Sequence, residues 1–308
     1  MSNSVSSPVN AATEVAFEAA AAVRVGYAGT ASQEVSRSVR AYAVAGKERT
    51  ARDTRGASSL RPESIIGVDE RVRILDTDLA PWRMICALRI HGTSGMAIGT
   101  GWLAGPSTVV TAGHCVFHAS LGGSGWAKRI DVIPGLNGSD VPRFGPLTAA
   151  GATAARQFSA HTKWAMSTGA PNGDFDVGCI HLDKPLGDEA GWFTFAAMSP
   201  QELSDYTVNV AGYPADRGAG RELYHNANRI TEITERRVHY EIDTYGGQSG
   251  SPVWVHDSAG APPVVIGIHA YGVSSGYLVN SAPRIDNEIF DLVSGWIDQG
   301  HPAGAKVG

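Results

Sequence analysis

From residue 83 to residue 269 the chain is a succession of short apolar runs separated by glycine- and proline-containing breaks. Arg83–Ile90, Thr100–Ala104, Thr108–Thr111, Asp176–Leu182, Thr207–Ala211, Arg237–Ile242, Pro252–Val255 and Val264–His269 are too short for stable helices and read as β-strands. Thirty-seven glycines and sixteen prolines supply the turns that such a pattern needs. One stretch has helical spacing instead: in Asp286–Ile297 the residues Ile289, Phe290, Leu292, Val293, Trp296 and Ile297 recur on one face. The expectation is an all-β fold of antiparallel barrel or sandwich type, with a single C-terminal helix.

The 308 residues are 43% apolar and 18% charged, enough to bury a substantial core. A net charge of −5 argues against a dedicated nucleic-acid binder, which would carry a basic face. No apolar run approaches the roughly 18 residues of a membrane span. Residues 1–63 differ from the rest: eight basic and six acidic residues give the segment a net of +2, leaving −7 for the remainder. A basic leader on an acidic body fits a pro-segment, or simply a solvated tail. It runs into an exposed linker, 53–64, DTRGASSLRPES. Residues 15–23, VAFEAAAAV, are interrupted by Glu18 and follow no basic residue, so they do not read as a secretion signal. Cys86, Cys115 and Cys179 allow at most one bridge, and no pair is assigned.

Three segments carry chemistry. TAGHC, residues 111–115, sets His114 just beyond an apolar run. DFDVGCI, residues 174–180, offers Asp176 at the mouth of another apolar run, with Asp174 as its rival. GGQSGSP, residues 246–252, surrounds Ser249 with Gly246, Gly247 and Gly250. Glycines let a backbone turn sharply and aim its N–H groups at one point. That geometry would make an oxyanion hole from the N–H groups of Gly247 and Ser249. The order His, Asp, Ser is that of chymotrypsin-type triads, with His114 as base, Asp176 as its orienter and Ser249 as nucleophile. An ordinary His titrates near ~6.5, so activity should fall in acid. His114 and His118 stand four apart, but Cys115 occupies the position of the glutamate in a zinc-binding H-E-x-x-H motif, so no metal site is expected.

TAGHC, DVGCI and GQSGSPV together resemble the triad segments of trypsin-like serine proteases. More narrowly, SIIGVDERVRI (64–74), DTYGGQSGSPVW (243–254) and VIGIHAYG (265–272) resemble the bacterial glutamyl endopeptidases of the V8-like group. The resemblance implies two antiparallel six-stranded β-barrels, residues 64–190 with His114 and Asp176 and residues 191–308 with Ser249 and the terminal helix. It implies cleavage of protein or peptide substrates after Glu, more weakly after Asp, by a secreted, monomeric enzyme without a cofactor or membrane attachment. The carboxylate pocket it implies is formed by Thr244 and His269, with Tyr271 and Gly272 as a wall. No Lys or Arg lies between 238 and 283, which leaves His269 as the cationic candidate of that stretch. Gln248 replaces the Asp that a chymotrypsin-type zymogen uses for activation. The resemblance instead places the mature N-terminus at Ser64, freed by cutting after Glu63. Gly99 stands where relatives carry the cysteine that bridges to the one in TAGHC, which leaves Cys115 without that partner. Two other readings remain at this point: a trypsin-like protease of different specificity, with His269 structural, and a non-catalytic binding module on the same fold.

Overall fold

The computed structural model describes residues 24–25, 64–138, 153–155, 157–167, 172–258, 260–272 and 279–300. Most of the leader 1–63, including Glu63, lies outside them.

Two sheets account for the strands. In the first, the order across the sheet is Thr153–Ala155, Arg129–Pro134, Ile85–His91, Met96–Gly105, Thr108–Thr111, Gly178–His181 and Gln157–Ala160, all neighbours antiparallel. In the second the order is Arg24–Val25, Thr194–Ala197, Pro263–Ile268, Pro252–His256, Thr207–Gly212, Tyr224–Ile233, Arg237–Tyr240 and Asn280–Pro283. Val72–Arg73 also pairs with Tyr224–Ile233. This sheet is antiparallel except where Thr194–Ala197 runs parallel to Pro263–Ile268. The all-β architecture with a terminal helix is as expected. Among the described residues the sheets hold seven and nine strands rather than six each; pieces of two or three residues account for one strand of the first and two of the second.

The chain leaves the first sheet after His181 and enters the second at Thr194, a passage that spans the expected boundary at 190. The segment that begins at Ser64 belongs to the second sheet rather than to the first half. Arg73 pairs with Tyr224, and Ile74 N–H donates to Leu223 O at 2.8 Å. Arg71, nearly buried, holds the segment down through Asp69 at 2.9 Å and Asp216 at 2.6 Å.

One core runs through both sheets. Ile85 and Trp102 from the first meet Phe193, Phe195, Trp254 and Val265 from the second in a single buried cluster. Trp254 packs against Trp82, Phe193 and His225, with ring centroids 5.7 to 6.0 Å apart. The helix Asn287–Gly300 closes this core with Ile289, Phe290, Val293, Trp296 and Ile297. Its start is fixed by Asp286, whose carboxylate accepts from Ile289 N–H at 2.9 Å, an N-cap bond that satisfies an otherwise orphaned donor.

Trp254→Ala should cost about 3–5 kcal/mol, since the neighbouring rings cannot collapse into the space. Urea unfolding measures this; a loss below about 1 kcal/mol would mean that Trp254 is not a keystone of the shared core.

Candidate active site

His114 sits in the short helical turn Gly113–Val116, one residue beyond the strand Thr108–Thr111. Asp176 follows the tight turn Gly173–Phe175 and precedes the strand Gly178–His181. The two strands are paired, Thr111 opposite Gly178, so the residues beyond their ends are brought face to face. One Asp176 oxygen accepts from the His114 backbone N–H at 2.8 Å, and the other lies 2.8 Å from Nδ1. The Tyr271 side chain also helps to lower this carboxyl. Asp176 is fully buried, and such a charge is stable only when its oxygens are satisfied. Asp174, the rival acid, is 41% exposed and pairs instead with Arg237 at 3.6 Å.

Electrostatics couple the pair. Burial pushes the His114 ring down, but the Asp176 carboxylate and then the neighbouring Cys115 together outweigh it and hold the ring well above its ordinary range. Burial pushes Asp176 up, and the charge of His114 and its hydrogen bonds pull it below the usual carboxylate value. An imidazole bonded in this way through Nδ1 keeps Nε2 as the nitrogen that can exchange a proton.

The Ser249 loop is held near the turn that carries His114 by contacts across the two sheets. Thr100, on the strand Met96–Gly105, donates its N–H to Ser249 O at 2.9 Å and its hydroxyl to Gly247 O at 2.8 Å. The same hydroxyl accepts from Tyr213 N–H at 3.0 Å. Cys115, the neighbour of His114, directs its thiol at Ser249 O from 3.7 Å. Gly250 has φ +89°, and any Cβ there would strike Thr100 O and Thr111 Oγ1. Gly247 has φ +104° and lies against Tyr213 O. The glycines on either side of Ser249 are therefore required by backbone geometry and by contact.

The pocket residues named from the sequence are placed as follows. His269 follows the strand Pro263–Ile268 and is fully buried; its N–H donates to Ser251 O at 2.9 Å, and its carbonyl accepts from Gly250 N–H at 2.6 Å. Its Nδ1 lies 2.6 Å from the Tyr240 hydroxyl. Burial, with the charges of His114 and Arg237, pushes this ring down to about 3. Thr244 is fully buried, and its hydroxyl has no hydrogen-bond partner among the described residues. Gly272 is buried. Tyr271 leans on the His114–Asp176 pair, with its ring centroid 6.4 Å from that of His114. Ser64 stands beside Thr244: its carbonyl accepts from Thr244 N–H at 3.2 Å and from Asn280 Nδ2 at 2.8 Å. Asp243 anchors the residues that follow, accepting from Ile66 N–H at 2.6 Å and Glu70 N–H at 2.8 Å.

Sequence reasoning missed Thr100, Arg237, Tyr240, Asp243 and Asn280. Arg237 lies one position outside the window searched for cations, and its guanidinium stacks over the Tyr271 ring at 4.9 Å. The His118 Nδ1 lies 2.7 Å from Ser120 Oγ. Cys86, Cys115 and Cys179 are free and buried. A Cβ at Gly99 would stand 3.0 Å from the Cys115 sulfur, where the bridging cysteine expected from the resemblance is missing.

Residues 99–268 match the family model of the trypsin-like peptidase domain. The chain is 32% identical over 253 residues to the glutamyl endopeptidase of Bacillus licheniformis, covering 81% of this chain and 74% of that protein. It is 33% identical over 243 residues to a Bacillus subtilis protein named extracellular metalloprotease, covering 78% of this chain and 72% of that one. Among the described residues no three His, Cys, Asp or Glu side chains are grouped as metal ligands. A solved structure of a Glu endopeptidase in complex with MPD superposes with a TM-score of 0.62 at 24% identity, covering 76% of this chain and 100% of that one. Among the described residues no helix is long and apolar enough to cross a membrane.

Gly250→Ala should destabilise the protein by about 1–3 kcal/mol through backbone strain and overpacking. Gly246→Ala, where an added Cβ meets nothing within 4 Å, should be neutral within about 1 kcal/mol. Thermal unfolding of the two variants checks the contrast; equal effects would contradict the packing of this loop.

Proposed function

The chain belongs to the trypsin-like peptidase family and is a serine endopeptidase, and from that premise we propose that it cleaves peptide bonds after glutamate with His114, Asp176 and Ser249. The observation that carries the triad is the fully buried Asp176 carboxylate, which grips both the backbone and Nδ1 of His114 at 2.8 Å. In this reading Ser249 Oγ attacks the scissile carbonyl as His114 Nε2 takes its proton. Asp176 holds the ring tautomer and stabilises the imidazolium that forms. The N–H groups of Gly247 and Ser249 bind the developing oxyanion. His114 then returns the proton to the leaving amine, and water hydrolyses the acyl-enzyme by the same route.

Preference for glutamate follows from Thr244 and His269. A buried hydroxyl without a partner costs about 1–3 kcal/mol, a cost that a ligand supplying an acceptor removes. A glutamate carboxylate is such an acceptor, and it would meet the Thr244 hydroxyl and the His269 ring together. Cleavage after Glu63 would create an ammonium at Ser64, whose carbonyl is held 3.2 Å from Thr244 N. That new charge would complement the substrate carboxylate, and a glutamate-specific enzyme could make the cut itself. The protein is thus read as a proenzyme, secreted and monomeric, acting on proteins or peptides.

Matched chromogenic peptides with Glu, Asp, Lys, Phe or Ala at P1 test this reading. Glu should exceed the uncharged and basic residues by at least ~100-fold in kcat/KM, with Asp between. Ser249→Ala should remove at least ~10⁴-fold of the turnover. A preference for another residue would overturn the pocket and spare the triad. Asp176→Asn should lower kcat by about 10⁴-fold. It should also move the acid limb of the pH profile to lower pH, because the carboxylate is the foremost of the groups that raise His114. An acid limb that stays in place would contradict the assignment of Asp176. N-terminal sequencing of the active enzyme should begin at Ser64; a start far from that residue would refute the processing site.

A further inference from the structure

We propose that Tyr240 is a positioning residue for specificity: its hydroxyl donates to Nδ1 of His269 and holds that ring as the tautomer carrying hydrogen on Nε2. The inference rests on the reading of His269 as part of the glutamate pocket, and it names the group that makes this ring a donor.

Tyr240 ends the strand Arg237–Tyr240 and is fully buried, as is His269. Its backbone is fixed from both sides, opposite Ile230 in one neighbouring strand and Asn280 in the other. The hydroxyl therefore reaches the ring from a defined place, 2.6 Å from Nδ1, with the two rings inclined at 42°. A bond of this kind can run in either direction. If Nδ1 carried the hydrogen and Tyr240 accepted it, Nε2 would present a lone pair to an incoming carboxylate, which has only lone pairs to offer in return. If Tyr240 donates, Nε2 carries the hydrogen and a carboxylate meets a donor.

The choice of tautomer matters because the ring is neutral. Burial, then the nearby charges of His114 and Arg237, pushes its titration down to about 3, so over the working range of a His-based protease it does not carry both protons. A neutral imidazole has one N–H, and the hydrogen bond at one nitrogen decides which nitrogen holds it. Tyr240 is in this account to the specificity histidine what Asp176 is to the catalytic one.

The test compares the enzyme, as purified from its full chain, with Tyr240→Phe and His269→Gln. Tyr240→Phe removes one oxygen and keeps the packed ring. It should lower kcat/KM for the Glu peptide about tenfold or more, mainly through KM, and leave the Ala peptide within about twofold. Nitrogen NMR of the His269 imidazole, assigned by its loss in His269→Gln, should show hydrogen on Nε2 in the unaltered enzyme and a mixture of tautomers in Tyr240→Phe. An unchanged Glu-to-Ala ratio in Tyr240→Phe would overturn the proposal while leaving the pocket standing. If His269→Gln kept the preference for Glu, the pocket reading would fall and the role of Tyr240 with it. If Tyr240→Phe did not fold, the NMR of the unaltered enzyme would decide: hydrogen on Nε2 supports the proposal, and hydrogen on Nδ1 overturns it.

Discussion

The Asp176 carboxylate is the constraint around which the site is arranged. A fully buried charge is tolerated only when its oxygens are bonded, and here the backbone and ring of His114 do this. The turn at His114 belongs to the first sheet, and Tyr271, which follows a strand of the second, sets its ring 6.4 Å from that of His114. Satisfying one buried charge therefore fixes the orientation of the imidazole where the two sheets meet.

The second tie is Thr100. Its backbone and hydroxyl hold the loop from Gly247 to Ser249, and its carbonyl accepts from Thr111 Oγ1 at 2.7 Å. Thr111 opens the TAGHC segment. The serine loop and the histidine turn are thus referenced to the same threonine, and Gly250 allows the close approach. Placing a nucleophile relative to a base within tenths of an ångström requires rigid support of this kind. Hydrogen bonds between elements remote in sequence provide it here.

How much of this could be read from the sequence depended on how strongly each piece is patterned. Ile85–His91 is buried at nearly every position and stands out as an apolar run, while the terminal helix shows its 3.6-residue period. Tyr224–Ile233 is half exposed and polar, and Asn280–Pro283 is four buried residues with no apolar period at all, so neither was legible as a strand. At the site, His114, Asp176 and Ser249 stood out as candidates because a triad demands those residue types in that order, and the structure sets His114 against Asp176. Thr100 and Tyr240 did not stand out. A threonine in a strand or a tyrosine at a strand end is ordinary β composition, and only the pairing across sheets shows what each touches. Tyr271 was expected as a pocket wall; that its ring also stands beside the His114 ring does not follow from the sequence pattern.

The account stands on Ser249 being the activated nucleophile of the His114–Asp176 pair. Treatment with an organofluorophosphate, followed by peptide mass spectrometry, tests that most directly. One equivalent should attach at Ser249, and His114→Ala should prevent it. Labelling elsewhere, or undiminished labelling without His114, would contradict the account.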